Sequence, residues 1–134
     1  MNVDDISKIG VIGAGLMGHG IALNFALGGY DVYLNDTTDE SLEKALESVG
    51  TSLETMLNVG LADEASAVAV PGRIHTSTSM EETVADVDFV VEAVFARSLI
   101  PKSLQRFWIN YQVRKSINYV LMSPTAIPNG SAIL

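Results

Sequence analysis

The sequence predicts an α/β fold in which a doubly wound, mostly parallel sheet carries helices on both faces. Three observations lead there. Short apolar runs alternate along the chain with stretches of helical period, the pattern of strand-helix-strand units. The first run, ending in Val11 and Ile12, opens into a Gly-x-Gly-x-x-Gly turn made by Gly13, Gly15 and Gly18, with a helical pattern directly after it. The second run, with Val32, Tyr33 and Leu34, ends in an acid, Asp36. Strand, glycine turn, helix and a carboxylate one strand away make the sheet Rossmann-type.

Each element has its own justification. Strand one is expected over residues 9–12, after a lead-in over residues 4–8. Ile21, Ala22, Phe25, Ala26 and Leu27 recur at helical spacing behind the glycine turn, and Gly28-Gly29 supplies a C-cap. Strand two spans residues 30–36. Asp39 or Ser41 is the expected N-cap of a long helical arm, with Glu40 and Glu43 in its first turn. Its stripe of Leu42, Ala45, Leu46, Val49, Leu53, Met56 and Leu57 runs to residue 59, past a weakening Gly50, and stops at Gly60. A shorter helix over residues 61–70 is closed by Pro71-Gly72. Strand three takes residues 74–78, and Ser79 with Glu82 forms a capping box for a short helix through Ala85.

The run over residues 88–94 reads as strand four, parallel and covered on both faces. Residues 101–108 start another helix on Leu104, Phe107 and Trp108, and residues 118–123 make strand five. Tyr111, Val113, Ile117 and Tyr119 suit a strand equally well, while Pro124 and Pro128 confine the remaining residues to loop. The expected division is a Rossmann domain over residues 1–95 and an atypical basic tail over 96–134, either completing the sheet or disordered.

Composition narrows the function. At 134 residues the chain is one domain at most, and its net charge of −8 at pH 7 argues against nucleic acid as a partner. It has no cysteine, which leaves no disulfide or thiolate metal site and is compatible with a reducing cytoplasm. The N-terminus has acids and no apolar signal region, and no apolar run approaches a membrane span, so no membrane partner is expected. The charge is unevenly spread. All 16 acids lie at or before Glu92, whereas Arg97, Lys102, Arg106, Arg114 and Lys115 make the tail basic.

The glycine turn carries the chemistry. Its first glycine turns the chain out of the strand, the second lets main chain approach a pyrophosphate, and the third lets helix and strand pack closely. The helix presents its free N–H groups and positive dipole end to the phosphates. Asp36 accepts hydrogen bonds from the adenosine ribose hydroxyls and repels a 2'-phosphate. Thr37 and Thr38 stand where an arginine would favour NADP, so the cofactor read here is NAD. Gly13, Asp36 and Glu92 all fall at the carboxyl ends of strands, where the crevice of such a sheet lies. Neither His19, in the first helix turn, nor His75, in strand three, is read as catalytic. There is no metal-ligand cluster and no Ser-His-Asp arrangement.

These residues resemble a family. V-I-G-A-G-L-M-G-H-G-I-A, Asp36, the long helix, Arg73-Ile74 before a hydroxyl-rich strand, and A-D-V-D-F-V-V-E-A-V together resemble the N-terminal domain of the 3-hydroxyacyl-CoA dehydrogenases, over residues 5–95. The resemblance implies an NAD-dependent oxidoreductase of fatty-acid metabolism that interconverts 3-hydroxyacyl-CoA and 3-oxoacyl-CoA. It assigns Gly13, Ala14, Gly15, Leu16, Met17 and Gly18 to the pyrophosphate and Asp36 to the ribose. Ala93 and Val94, after Glu92, wall the nicotinamide ribose, and Lys102 aligns with a lysine found further along in the family. The arm from Ser41 onward resembles a segment of the family's CoA pocket, although Lys44 is its one cation among Glu40, Glu43, Glu47 and Glu54. The family's catalytic histidine, its glutamate partner and its helical dimerisation domain lie further along than this chain reaches. Within the chain, therefore, no catalytic residue is expected. A homodimer is expected only with that domain, and the isolated chain should bind dinucleotide weakly and turn over nothing.

Beyond Val94 the pattern departs from the family, with Ala96 in place of an acid and Pro124-Thr125-Ala126 in place of Asn-Thr-Ser. Together with the charge split this suggests a reading frame shifted near residue 96 and ended early. Residues 104–112, back-translated and read one frame over, permit the acidic helical segment Ser-Glu-Ile-Leu-Asp-Lys-Leu-Ser. Two other readings stay open: a stand-alone module that binds or senses NAD(H), and a non-functional fragment whose tail leaves an apolar patch.

Overall fold

The computed structural model describes residues 3–93 and 118–121. After a 3-10 turn at Val3–Asp5, the chain forms β1 (Lys8–Ile12), α1 (Leu16–Leu27), β2 (Asp31–Asn35), α2 (Asp39–Asn58), α3 (Glu64–Arg73), β3 (Ile74–Ser77), α4 (Met80–Val84), β4 (Phe89–Glu92) and β5 (Asn118–Leu121). The strands pair in parallel in the order β3-β2-β1-β4-β5. Because β1 is central and successive strands are added first on one side and then on the other, the strand order reverses at β1, which opens a crevice at its carboxyl end. The expected fifth strand is present and extends the sheet beyond β4, with Phe89 opposite Asn118 and Glu92 opposite Leu121.

Alternation along each strand sorts the side chains into two layers. Ile9 and Val11 of β1, Val32 and Leu34 of β2, Ile74 of β3 and Val91 of β4 are buried with α1, α2 and α3 through Ala22, Leu23, Ala26, Leu42, Val49, Leu53 and Val70. Ile12 and Val90 point the other way, with Val84 and Val87, and Tyr33 and Met80 close that smaller layer. A Cβ on Gly10 would come within 3.3 Å of Val87, so the glycine in β1 makes room for this packing.

The helix ends show where local chemistry differs from the sequence reading. α1 and α2 finish in the same way: Gly29 (φ 94°) and Gly60 (φ 76°) take the left-handed conformation. Their N–H groups donate to Ala26 and Leu57, while Tyr30 and Leu61 reach back to Phe25 and Met56. α2 is capped by Thr38, one residue before Asp39 and three before Ser41, because Thr38 is extended and its hydroxyl accepts from the Ser41 N–H at 3.2 Å. α3 starts at Glu64, capped by Asp63, rather than at Leu61, and it continues through Pro71 and Gly72. A proline in a last turn removes one hydrogen bond, and here the end of α3 is fastened elsewhere: the Arg73 guanidinium donates to the Ala26 carbonyl at 2.9 Å. The expected capping box of α4 is half made. Ser79 Oγ accepts from the Glu82 N–H, but the Glu82 carboxylate takes the Ser77 hydroxyl, which in turn accepts from the Ser79 N–H.

Candidate functional site

The site is assembled at the carboxyl end of β1. The chain leaves the strand through Gly13 at φ 97°, and the Gly13 N–H donates to the Asn35 carbonyl at 2.8 Å, which carries the β1–β2 ladder into the turn. α1 begins at Leu16, inside the glycine turn, so Gly18 sits in its first turn rather than before it. The reason for a glycine there is contact. A Cβ on Gly18 would lie 1.7 Å from the Gly13 carbonyl oxygen, and the nearby Ala93 Cβ is 3.8 Å from the same point. Beside Gly15, its chain neighbours apart, no atom of the described residues lies within 4 Å of where a Cβ would stand, so the main chain is open among them on that side.

Gly15 is also the N-cap of α1, and no side chain caps that helix. By contrast, Thr38, Asp63 and Ser79 cap α2, α3 and α4 through their side-chain oxygens. Gly15 therefore offers no side-chain acceptor to the first-turn N–H groups of α1, on the helix whose positive dipole end faces the crevice.

Asp36 comes directly after β2 and stands over this turn. Its Oδ2 accepts from the Ala14 N–H at 3.0 Å, and its Oδ1 accepts from the Thr37 N–H at 2.6 Å and the Thr37 hydroxyl at 3.3 Å. Beside it opens a cavity of about 330 Å³ lined by Ala14, Gly15, Leu16, His19, Asp36, Ser41, Lys44, Ala45 and Ser48. Leu16 and Met17 are exposed at its edge of the turn, at 90% and 41%. Glu92 and Ala93 are buried at the carboxyl end of β4, where Glu92 lies opposite Ile12 and the Ala93 N–H donates to the Ile12 carbonyl. The structure thus brings Gly13, Ala14, Gly15, Leu16, Met17, Gly18, Asp36, Glu92 and Ala93 to one edge of the sheet. Val94 and Lys102 lie outside the described residues, as do the helix expected over residues 101–108 and the motif departures at Ala96 and Pro124.

The helical arm from Ser41 onward, read from the sequence by its resemblance to a CoA-pocket segment, here walls the cavity beside Asp36. Ser41, Lys44, Ala45 and Ser48 recur at intervals of three and four, one face of the helix; the sequence alone does not single out Ala45 and Ser48 for the site. Lys44 is held by Glu40 at 3.3 Å, one turn away. His19 Nδ1 lies 2.9 Å from the Gly15 carbonyl, so its ring packs back on the turn. His75 is elsewhere, stacked on Tyr33 with Nε2 3.6 Å from an Asp31 oxygen, beside a smaller cavity on the α4 side. Among the described residues no group of three or more His, Cys, Asp or Glu side chains is placed to hold a metal, and no helix is long and apolar enough to cross a membrane.

A turn of this shape fits a dinucleotide. The space beside Gly15, the uncapped α1 and the Asp36 carboxylate offer room for main-chain contact, anion-binding donors and a diol acceptor in sequence. Comparison with known proteins agrees. The model of the 3-hydroxyacyl-CoA dehydrogenase NAD binding domain matches residues 8–106. A 3-hydroxybutyryl-CoA dehydrogenase of Bradyrhizobium diazoefficiens is 31% identical over 99 residues, covering 74% of this chain and 33% of that protein. A probable 3-hydroxybutyryl-CoA dehydrogenase of Deinococcus radiodurans is 38% identical over 97 residues, covering 72% and 34%. Among solved structures, (S)-3-hydroxybutyryl-CoA dehydrogenase from Ralstonia eutropha superposes with a TM-score of 0.66 at 30% identity, covering 85% of this chain and 38% of that one. The chain spans about a third of the length of the curated relatives it matches.

Proposed function

The chain belongs to the 3-hydroxyacyl-CoA dehydrogenase NAD binding domain family, and we propose that it performs the cofactor half of that family's reaction, seating NAD on the turn from Gly13 to Gly18. The observation that carries this reading is the α1 N-terminus, the one described α-helix start with no side-chain cap, lying under Asp36 and beside the open face of Gly15. In the proposed arrangement the turn amides hold the pyrophosphate and Asp36 accepts from the adenosine ribose. Ala93 and Val94, after Glu92, would border the nicotinamide ribose, and Lys102 is proposed as a further cofactor contact. Bound NAD supplies a hydride acceptor for C3 of a 3-hydroxyacyl-CoA.

The chain's own residues bind and orient, and none of those described is assigned the proton transfer at the 3-hydroxyl. That step is expected of a histidine and glutamate outside the matched region, in the complete enzyme, where a homodimer would also form. Acyl-CoA is the proposed substrate of that complete enzyme, and the cysteine-free composition suits a cytoplasmic setting.

Titration of the purified chain with NADH and NADPH, monitored by nicotinamide fluorescence, tests the seat. NADH is expected to bind about tenfold or more tightly than NADPH, because Asp36 repels a 2'-phosphate. Unchanged fluorescence and melting temperature at saturating NADH would refute the proposal.

A further inference from the structure

The Asp36 carboxylate is engaged within the fold itself. One oxygen takes the Ala14 N–H and the other takes the Thr37 N–H, so two main-chain donors meet two acceptor oxygens. An asparagine cannot reproduce this, since its amide has one acceptor oxygen and its NH2 would face an N–H. The bond to Ala14 reaches back 22 residues from the end of β2 into the glycine turn. Ala14 is 6% exposed, and its neighbour Gly13 is tied to β2 only through the Asn35 carbonyl. Removing the carboxylate leaves the Ala14 N–H without its acceptor in a part-buried position, which loosens the turn's tie to the end of β2. Oδ2 keeps a second lone-pair site beside the Ala14 bond, and the long 3.3 Å contact from the Thr37 hydroxyl to Oδ1 is one that a ribose hydroxyl could replace.

On the reading that this turn seats a dinucleotide, we infer that Asp36 is also the positioning residue of the turn, so that cofactor selection and turn geometry depend on one carboxylate. Replacing Asp36 to admit a 2'-phosphate therefore weakens every dinucleotide, including ones that never touch the carboxylate.

The test compares the wild-type chain and Asp36→Ala, which removes both acceptor oxygens, with NADH and with its analogue lacking both hydroxyls on the adenosine ribose. Loss of the turn anchor weakens the analogue by about tenfold in Asp36→Ala; an analogue affinity unchanged by the substitution, with only NADH weakened, overturns the inference. Amide hydrogen exchange read by NMR decides it without any ligand. The Ala14 N–H is expected to be protected in the unliganded wild-type chain and to exchange at least about tenfold faster in Asp36→Ala, whereas equal rates overturn the inference. A wild-type chain that ignores NADH refutes the proposed function, and the exchange measurement still decides the role of Asp36.

Discussion

The two ends of β1 are fastened by the same chemistry and differ in what surrounds it. At the amino end, Asp88, just before β4, accepts from the Ser7 and Lys8 N–H groups, each at 2.9 Å, and its own N–H donates to the Lys8 carbonyl. At the carboxyl end, Asp36, just after β2, accepts from the Ala14 and Thr37 N–H groups. Around Asp88 the Ser7 hydroxyl donates to the same oxygen as the two N–H groups, and the Lys8 ammonium beside it pairs with Asp86. Around Asp36 lie a cavity, a glycine with open space and a helix start with no cap. A carboxylate on backbone donors is structural by default. The proposed dinucleotide would use the space and the uncapped helix start beside Asp36.

Substitutions break this comparison at different strengths. The largest effect is expected from Gly18→Ala, where a methyl meets the backbone carbonyl of Gly13 and cannot be accommodated by a rotamer change. It should lower stability by about 3 kcal/mol and abolish NADH binding, as read by thermal melting and fluorescence titration. Gly20→Ala, in the same helix and with no described residue, its own helix backbone apart, within 4 Å of the added carbon, is the control. It should raise stability by about 0.5–1 kcal/mol and leave binding alone.

Asp88→Ala sharpens the contrast from the other end. Losing the clamp on the start of β1 should cost about 1–2 kcal/mol in a denaturant titration while NADH affinity stays within about twofold; a large affinity loss would mean that the two ends are coupled. The smallest effect is on pH. The Ser7 and Lys8 N–H groups hold the Asp88 carboxyl below its ordinary range, and the Ser66 N–H does the same for Asp63. The folded chain therefore keeps the charged forms more readily than the unfolded one. Their contribution is complete above the ordinary aspartate value of 3.8 and is lost as pH falls through the lowered folded values. In Asp88→Asn the fall of melting temperature between pH 5 and pH 2 should be shallower than in the wild-type chain; an identical profile would remove Asp88 from the acid transition.

Much of this is legible in the residues. Short apolar runs mark β1, β2 and β4, Gly29 and Gly60 mark two helix ends, and the spacing from Gly13 to Asp36 marks the crevice. Helix starts are harder. Thr38, Asp39 and Ser41 are all able to cap, and only the extended backbone at Thr38 selects among them. Gly18 reads as a helix breaker by propensity, yet it lies inside α1 because contact with Gly13 outweighs propensity. Pro71 reads as a stop for a similar reason, and the bond from Arg73 to Ala26 that fastens its helix joins residues 47 apart. The dual engagement of Asp36 escapes the sequence because it depends on β1 and β2 lying side by side, with Ile12 opposite Asn35.

The central position of β1 also bears on how the chain folds. Its partner on one side arrives soon, since β1, α1 and β2 are consecutive and Asp36 meets Ala14 across 22 residues. Its partner on the other side does not exist until the chain has reached β4, and the Lys8–Asp88 bond spans 80 residues. Closing so long a loop is slow relative to local pairing. A half-sheet bearing the glycine turn should therefore form first in refolding, with the pairing to β4 as the later, rate-setting event.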